Sequence, residues 1–228
     1  MLFFIIQITI IVYMIFCIYF IFDLKKYNIN GIIHNLKQDD LKNVNWEDLN
    51  PIIFNYKTHI DFNYLLKNYS NIQFQNKSIK ELLTDKNTIF RNSEIIEKTN
   101  INDPFNFNTN ILNNYSFNIN IINKQLLSVI KNNYISSLEY CKFNNNLISV
   151  LDGEITIYLF NPKHKNDILN KNLDIIKKYA HKYYLVKNDT VIIPPNWYYI
   201  ITNNDNKNTV LYHIDISNIF TFHYNYLR

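Results

Sequence analysis

Two His-x-Asp strings, His59-Ile60-Asp61 and His213-Ile214-Asp215, have the residue types and spacing that most directly suggest chemistry in this chain. An imidazole and a carboxylate two residues apart on a strand share one face. With a second, distant imidazole they would form the facial triad that holds Fe(II) and leaves positions open for oxygen. The other histidines are His34, His164, His181 and His223, the cysteines are Cys17 and Cys141, and there is no Cys-x-x-Cys or His-Glu-x-x-His. Zinc-finger and zincin chemistry is therefore excluded. Asp61 directly precedes a helical pattern and serves better as its N-cap than as a ligand. His213 and Asp215 share a face of a late strand, where they read as a structural pair or as pocket lining. Two separated cysteines build no disulfide framework, so nothing requires an oxidising compartment.

The elements that must position these residues fit in one domain and a terminal segment: 228 residues, 47% hydrophobic and 18% charged. The net charge of +4 comes from lysine, with arginine only at Arg91 and Arg228, so no arginine cluster grips phosphates and nucleic acid is not the expected partner. Lys177, Lys178 and Lys182 read as a basic helix face exposed to solvent. Leu2 to Phe22 is apolar except for Gln7 and Thr9, long enough to cross a bilayer, and it lacks the basic start and small-residue cleavage site of a signal peptide. Lys25, Lys26, Lys37 and Lys42 follow it, which places the C-terminal body in the cytoplasm. The expected organisation is a single-pass transmembrane anchor over 1–22, a polar stalk over 23–44 and a folded domain over 45–228.

Within the body, Pro51 to Phe54 reads as a strand and Asp61 to Tyr69 as a helix. Ile72 to Phe74 reads as a second strand, and Ser78 to Leu83 as a helix opened by a Ser78/Glu81 capping box. After Tyr115 come short β-type runs: Ser116–Ile122, Leu147–Leu151, Ile155–Phe160, Tyr183–Val186, Val191–Ile193, Tyr198–Thr202 and Thr209–Ile216. Asp152-Gly153 between two of them is a hairpin signal. Evenly spaced strands of this kind make a sandwich or a barrel.

The text from Leu138 to Ile201 resembles the cupin-like domains related to the JmjC oxygenases. It contains Leu138-Glu139-Tyr140-Cys141, then Asn146 within an apolar run, Gly153, and Leu159-Phe160-Asn161-Pro162. Asp189, an apolar strand and Pro194-Pro195-Asn196-Trp197-Tyr198-Tyr199 follow, where the family has Pro-Pro-Gly-Trp-x-His. The resemblance implies an α+β, mainly β fold: a double-stranded β-helix, or jelly roll, with a helical N-terminal part behind the transmembrane helix. Asn146, Gly153, Pro162, Asp189, Pro194, Pro195 and Trp197 fall on its motif positions.

The resemblance also implies where an oxygenase would hold Fe(II) and 2-oxoglutarate. The first His position is Glu139, the Asp position is Cys141, the distal His position is Tyr199, and the co-substrate lysine falls on Ile155. All four are changed, and an apolar Ile155 offers no cation to a carboxylate. Glu139, Cys141 and Tyr199 could share a face but contain no imidazole, so they read as barrel filling rather than a different metal site. The expectation is a non-catalytic, membrane-anchored cupin-like module without cofactor that holds a ligand or a protein partner. Two alternatives stand beside it. One is an active Fe(II)/2-oxoglutarate-dependent protein hydroxylase with an atypical ligand set. The other is a structural membrane protein of a large DNA virus, suggested by the Asn-, Ile- and Lys-rich bias that AT-rich codons produce.

Overall fold

In a computed structural model of the chain, the described residues are 2–23, 34–36, 50–56, 60–74, 77–84, 90–92, 120–141, 145–204 and 207–218. The apolar N-terminus forms helix α1 (Leu2–Asp23). The Thr9 hydroxyl donates to the carbonyl of Ile5, one turn back, at 2.9 Å. Side chains of this helix are described from Phe3 to Tyr19, and among the described residues no helix is long and apolar enough to cross a membrane.

The body is built on two antiparallel sheets. Strands β6 (Asn120–Ile130), β9 (Asn145–Asp152), β12 (Asp189–Ile193) and β14 (Thr209–Asn218) lie in the larger sheet in the order β12-β9-β14-β6. Strands β7 (Tyr134–Ile135), β8 (Glu139–Tyr140), β10 (Glu154–Phe160), β11 (Ala180–Val186) and β13 (Tyr198–Asn203) make the smaller one. Its order is β11-β10-β13-β7, with β8 also paired to β13. The chain passes from one sheet to the other after β6, after β7 and β8, after β9, and again after β11, β12 and β13. This winding is a double-stranded β-helix, or jelly roll.

The larger sheet is extended by β2 (Ile52–Asn55) beside β12, by β1 (His34–Leu36) beside β2, and by β5 (Phe90–Asn92) beside β6. Strand β1 lies in the stretch read as stalk. It pairs in parallel with β2, and Leu36 packs on the core.

Alternation sorts side chains between two faces of each sheet. Between the sheets lie Ile148, Val150, Ile155, Ile157, Leu159, Val191, Ile193, Trp197, Tyr199, Ile201 and Leu211. On the outer face of the larger sheet, Leu147, Leu151, Ile192, Tyr212 and Ile214 pack against helices α2 (Phe62–Tyr69) and α3 (Ile79–Thr84). On the outer face of the smaller sheet, Tyr158, Phe160, Tyr198 and Ile200 are covered by two single-turn helices, α4 (Lys165–Ile168) and α5 (Leu173–Ile176), through Ile168 and Ile176.

Local signals explain the helix starts. Asp61 caps α2, accepting from the Tyr64 amide at 2.8 Å. At α3 the Ser78 hydroxyl accepts from the Glu81 amide while the Glu81 carboxylate accepts from the Ser78 amide at 2.7 Å, a reciprocal capping box. Strands β3 (Gln73–Phe74) and β4 (Lys77–Ser78) make a small ladder between these helices.

Two readings are corrected. Asp152-Gly153 joins β9 to β10, which lie in different sheets, so it is a corner between sheets and not a hairpin. Gly153 has φ +82°, and a Cβ there would stand 2.5 Å from Thr209 Oγ1, so only glycine fits. Lys177, Lys178 and Lys182 do not form one helix face: the first two lie in a 3-10 turn (Lys177–Tyr179) and Lys182 in β11. His59, the Ser116–Ile119 part of the first β run, and Lys25, Lys26, Lys37 and Lys42 lie outside the described residues.

Candidate functional site

One end of the space between the sheets is polar. Glu139 on β8 and Tyr199 on β13 are directly paired across the strands, and the Tyr199 hydroxyl donates to Glu139 Oε2 at 2.7 Å. From β9, Asn146 Nδ2 donates to the same hydroxyl at 3.2 Å. The phenol thus donates a hydrogen bond to the carboxylate and accepts one from the amide, with its ring wholly buried.

Cys141 follows β8 by one residue and is also wholly buried. The Pro194-Pro195-Asn196-Trp197 turn fixes it from both sides: its amide donates to the Trp197 carbonyl at 2.9 Å, and its carbonyl accepts from the Asn196 amide at 2.6 Å. Burial pushes the thiol well above its ordinary value. The charges of Asp215 and Glu139 push it further, against a backbone hydrogen bond from Asn146. The sulfur is therefore a neutral thiol at neutral pH, neither a thiolate ligand nor a nucleophile.

Asp215 reaches this neighbourhood from β14. It pairs with Asn146 of β9, and the alternation that sends Tyr212 and Ile214 to the helix side sends His213 and Asp215 to the inter-sheet side. His213 is buried and Asp215 half-buried, so they are barrel lining rather than an exposed pair. Sequence reasoning weighed this pair but did not join it to Cys141. The period-two alternation was the available signal, and the missing fact was the register of β14 against β9.

The other family positions have structural places. Ile155 is buried between the sheets, where the co-substrate lysine would be. Gly153 makes the corner, Pro162 opens a 3-10 turn (Pro162–His164), and Pro194 and Pro195 are buried. Asp189 accepts from the Val186 amide at 2.9 Å and from Asn55 Nδ2 at 3.1 Å, closing the β11–β12 turn. Trp197 is wholly buried, with its ring 6.4 Å from that of His181. Asn196 stands where the resembling family has glycine and has φ +72°. Among the described residues the other non-glycine positions with positive φ, Asn133, Asn170 and Asn188, are also asparagines, the side chain that best tolerates this region after glycine.

At the positions where the resembling oxygenases hold Fe(II) and 2-oxoglutarate, this chain has a carboxylate that accepts from a phenol, a buried thiol whose pKa is raised, a buried phenol and an apolar isoleucine, none of them an imidazole or a cation. Among the described residues no group of three His, Cys, Asp or Glu side chains is arranged to hold a metal ion. What the arrangement offers is a half-buried rim of hydrogen-bonding groups, Glu139, Asn146 and Asp215, over a sealed apolar floor.

No family model and no curated protein matches the sequence. Similar solved structures include the Drosophila melanogaster CENP-C cupin domain, at 18% identity and a TM-score of 0.31, covering 40% of this chain and 59% of that one. The same protein bound to CAL1 gives the same identity and TM-score over 40% and 60%. The Schizosaccharomyces pombe Cnp3 cupin domain is 16% identical, with a TM-score of 0.33, over 42% and 52%. The chain thus spans between half and three-fifths of the length of these proteins.

Proposed function

We propose that this chain is a membrane-anchored cupin-like binding module whose barrel holds a ligand or a protein partner and performs no oxidative chemistry. The observation that carries the reading is the Tyr199–Glu139 hydrogen bond. Two of the three positions where the resembling oxygenases place metal ligands here satisfy each other, and the third is a protonated, fully buried thiol. Glu139 Oε2 accepts from a phenol 2.7 Å away, so that oxygen is already used within the barrel. The rim built by Glu139, Asn146 and Asp215 suits hydrogen-bonded recognition of a polar group entering from solvent.

Anchoring is supported by α1, which is apolar on every side apart from Gln7 and Thr9. Phe3 is 74% exposed and Ile15 60% exposed, with no charged side chain before Asp23. A helix hydrophobic on nearly every side is stable in lipid or in a large core.

The test is elemental analysis of the detergent-solubilised full chain for iron, manganese and zinc, with calorimetric titration of Fe(II) and 2-oxoglutarate. The expected result is no stoichiometric metal and no co-substrate heat. Stoichiometric iron with 2-oxoglutarate binding would overturn the reading in favour of a hydroxylase that recruits Asp215 and His213.

A further inference from the structure

The chain's net positive charge has one address. Residues 163–182 contain six lysines and two aspartates, so this stretch alone carries the +4 of the whole chain, and the remainder holds equal numbers of each sign. All six lysines, Lys163, Lys165, Lys171, Lys177, Lys178 and Lys182, are exposed. They sit on α4, on the turns that flank α4 and α5, and on β11, which cover and border the outer face of the smaller sheet.

The lysines lie among exposed apolar side chains. Leu169 and Ile175 project from the α4–α5 segment, Ile175 at 52% exposure, and Tyr184 on β11 is 67% exposed. Lys182 Nζ lies 4.7 Å above the Tyr184 ring and donates to its hydroxyl, and Lys178 Nζ lies 4.9 Å from the Tyr179 ring. The carboxylates in or beside the patch are Asp174, 2.8 Å from Lys177, Asp167, 3.7 Å from His164, and the exposed Glu154 on β10, whose charge reaches Tyr184.

We infer that this face is a second membrane contact, which docks on anionic lipid headgroups of the bilayer that α1 enters. The charge fits an anionic surface. The exposed Leu169, Ile175 and Tyr184 fit the headgroup boundary, where aliphatic and aromatic side chains among lysines are stabilised. Lysine point charges without a single arginine suit diffuse attraction to headgroups rather than the bidentate phosphate grip used on nucleic acid. The inference rests on the anchor reading above, which places the body next to a bilayer.

The test uses the full chain with an environment-sensitive fluorophore on Ile175→Cys, reconstituted in phosphatidylcholine vesicles with or without phosphatidylserine. Flotation reads the anchor, and emission reads the face. The expected result is flotation with both lipids and a blue shift only with phosphatidylserine. High salt should reverse the shift, and Lys163→Glu, Lys178→Glu and Lys182→Glu together should abolish it without changing flotation. Failure to float with either lipid would sink the anchor reading. Flotation with the same emission in both lipids would sink the face. A blue shift in detergent that grows with protein concentration would assign the face to a second copy of the chain. A shift produced by single-stranded RNA and not by phosphatidylserine would assign it to nucleic acid.

Discussion

At the scale of single residues, the site's character is set by the proton on one oxygen. The Tyr199 side chain is wholly buried, and its hydroxyl spans Glu139 and Asn146. Replacing it with Phe removes a buried hydrogen bond from the Glu139 carboxylate and an acceptor from the Asn146 amide. Tyr199→Phe should lower unfolding free energy by about 1–3 kcal/mol in chemical denaturation, without loss of fold. Cys141 should resist iodoacetamide at pH 8 in the native state and react once unfolded, because burial and the two nearby carboxylates hold it protonated. Rapid native labelling would contradict its described environment. The order of Leu-Phe-x-Pro and Pro-Pro-x-Trp singled out Glu139, Cys141 and Tyr199 in the sequence, and the structure pairs Glu139 with Tyr199 across β8 and β13. The approach of Asp215 to Cys141 was not visible, since it depends on strand pairing between residues nearly 70 positions apart, Asn146 and Asp215.

At the scale of elements, caps and strands were legible and connections were not. The starts of α2 and α3 follow from Asp61 and the Ser78/Glu81 box, since side-chain capping is local chemistry. The Asp152-Gly153 corner was misread because glycine at positive φ serves an in-plane hairpin and a crossing between sheets equally well, and only the global winding separates the two. Helices α4 and α5 are single turns, too short to carry a period. Gly153→Ala should cost about 1–3 kcal/mol by thermal or chemical denaturation, as strain at φ +82° adds to a clash with Thr209. A cost near zero would mean the corner relaxes freely. The α2 cap predicts a pH effect. Asp61 is held below its ordinary value, first by the Tyr64 amide and then by Lys187, whose ammonium lies 2.9 Å away. Its contribution is fully present above the unfolded value near ~3.9 and is lost as pH falls through the lower folded value. Asp61→Asn should therefore flatten the acid limb of the stability curve while leaving its shape above about pH 5 unchanged.

At the scale of the whole molecule, a double-stranded β-helix closes one core between its sheets, and two helical covers protect their outer faces. The apolar α1 is not among the residues of these three cores. Full-length chain should float with neutral vesicles and resist extraction at pH 11, and removal of residues 2–22 should abolish flotation. Flotation without those residues would move the anchor elsewhere. The pairing of β1 with β2 has a further consequence. Docking His34–Leu36 onto the larger sheet leaves only residues 24–33 between the end of α1 and the body, a span of at most about 36 Å when fully extended. For a chain whose α1 is in a bilayer, the body cannot leave the half-sphere that this leash sweeps out. Its lysine face then meets the lipid surface at an effective concentration on the order of millimolar or above. At that concentration, contacts too weak to hold a free protein would keep the face down most of the time.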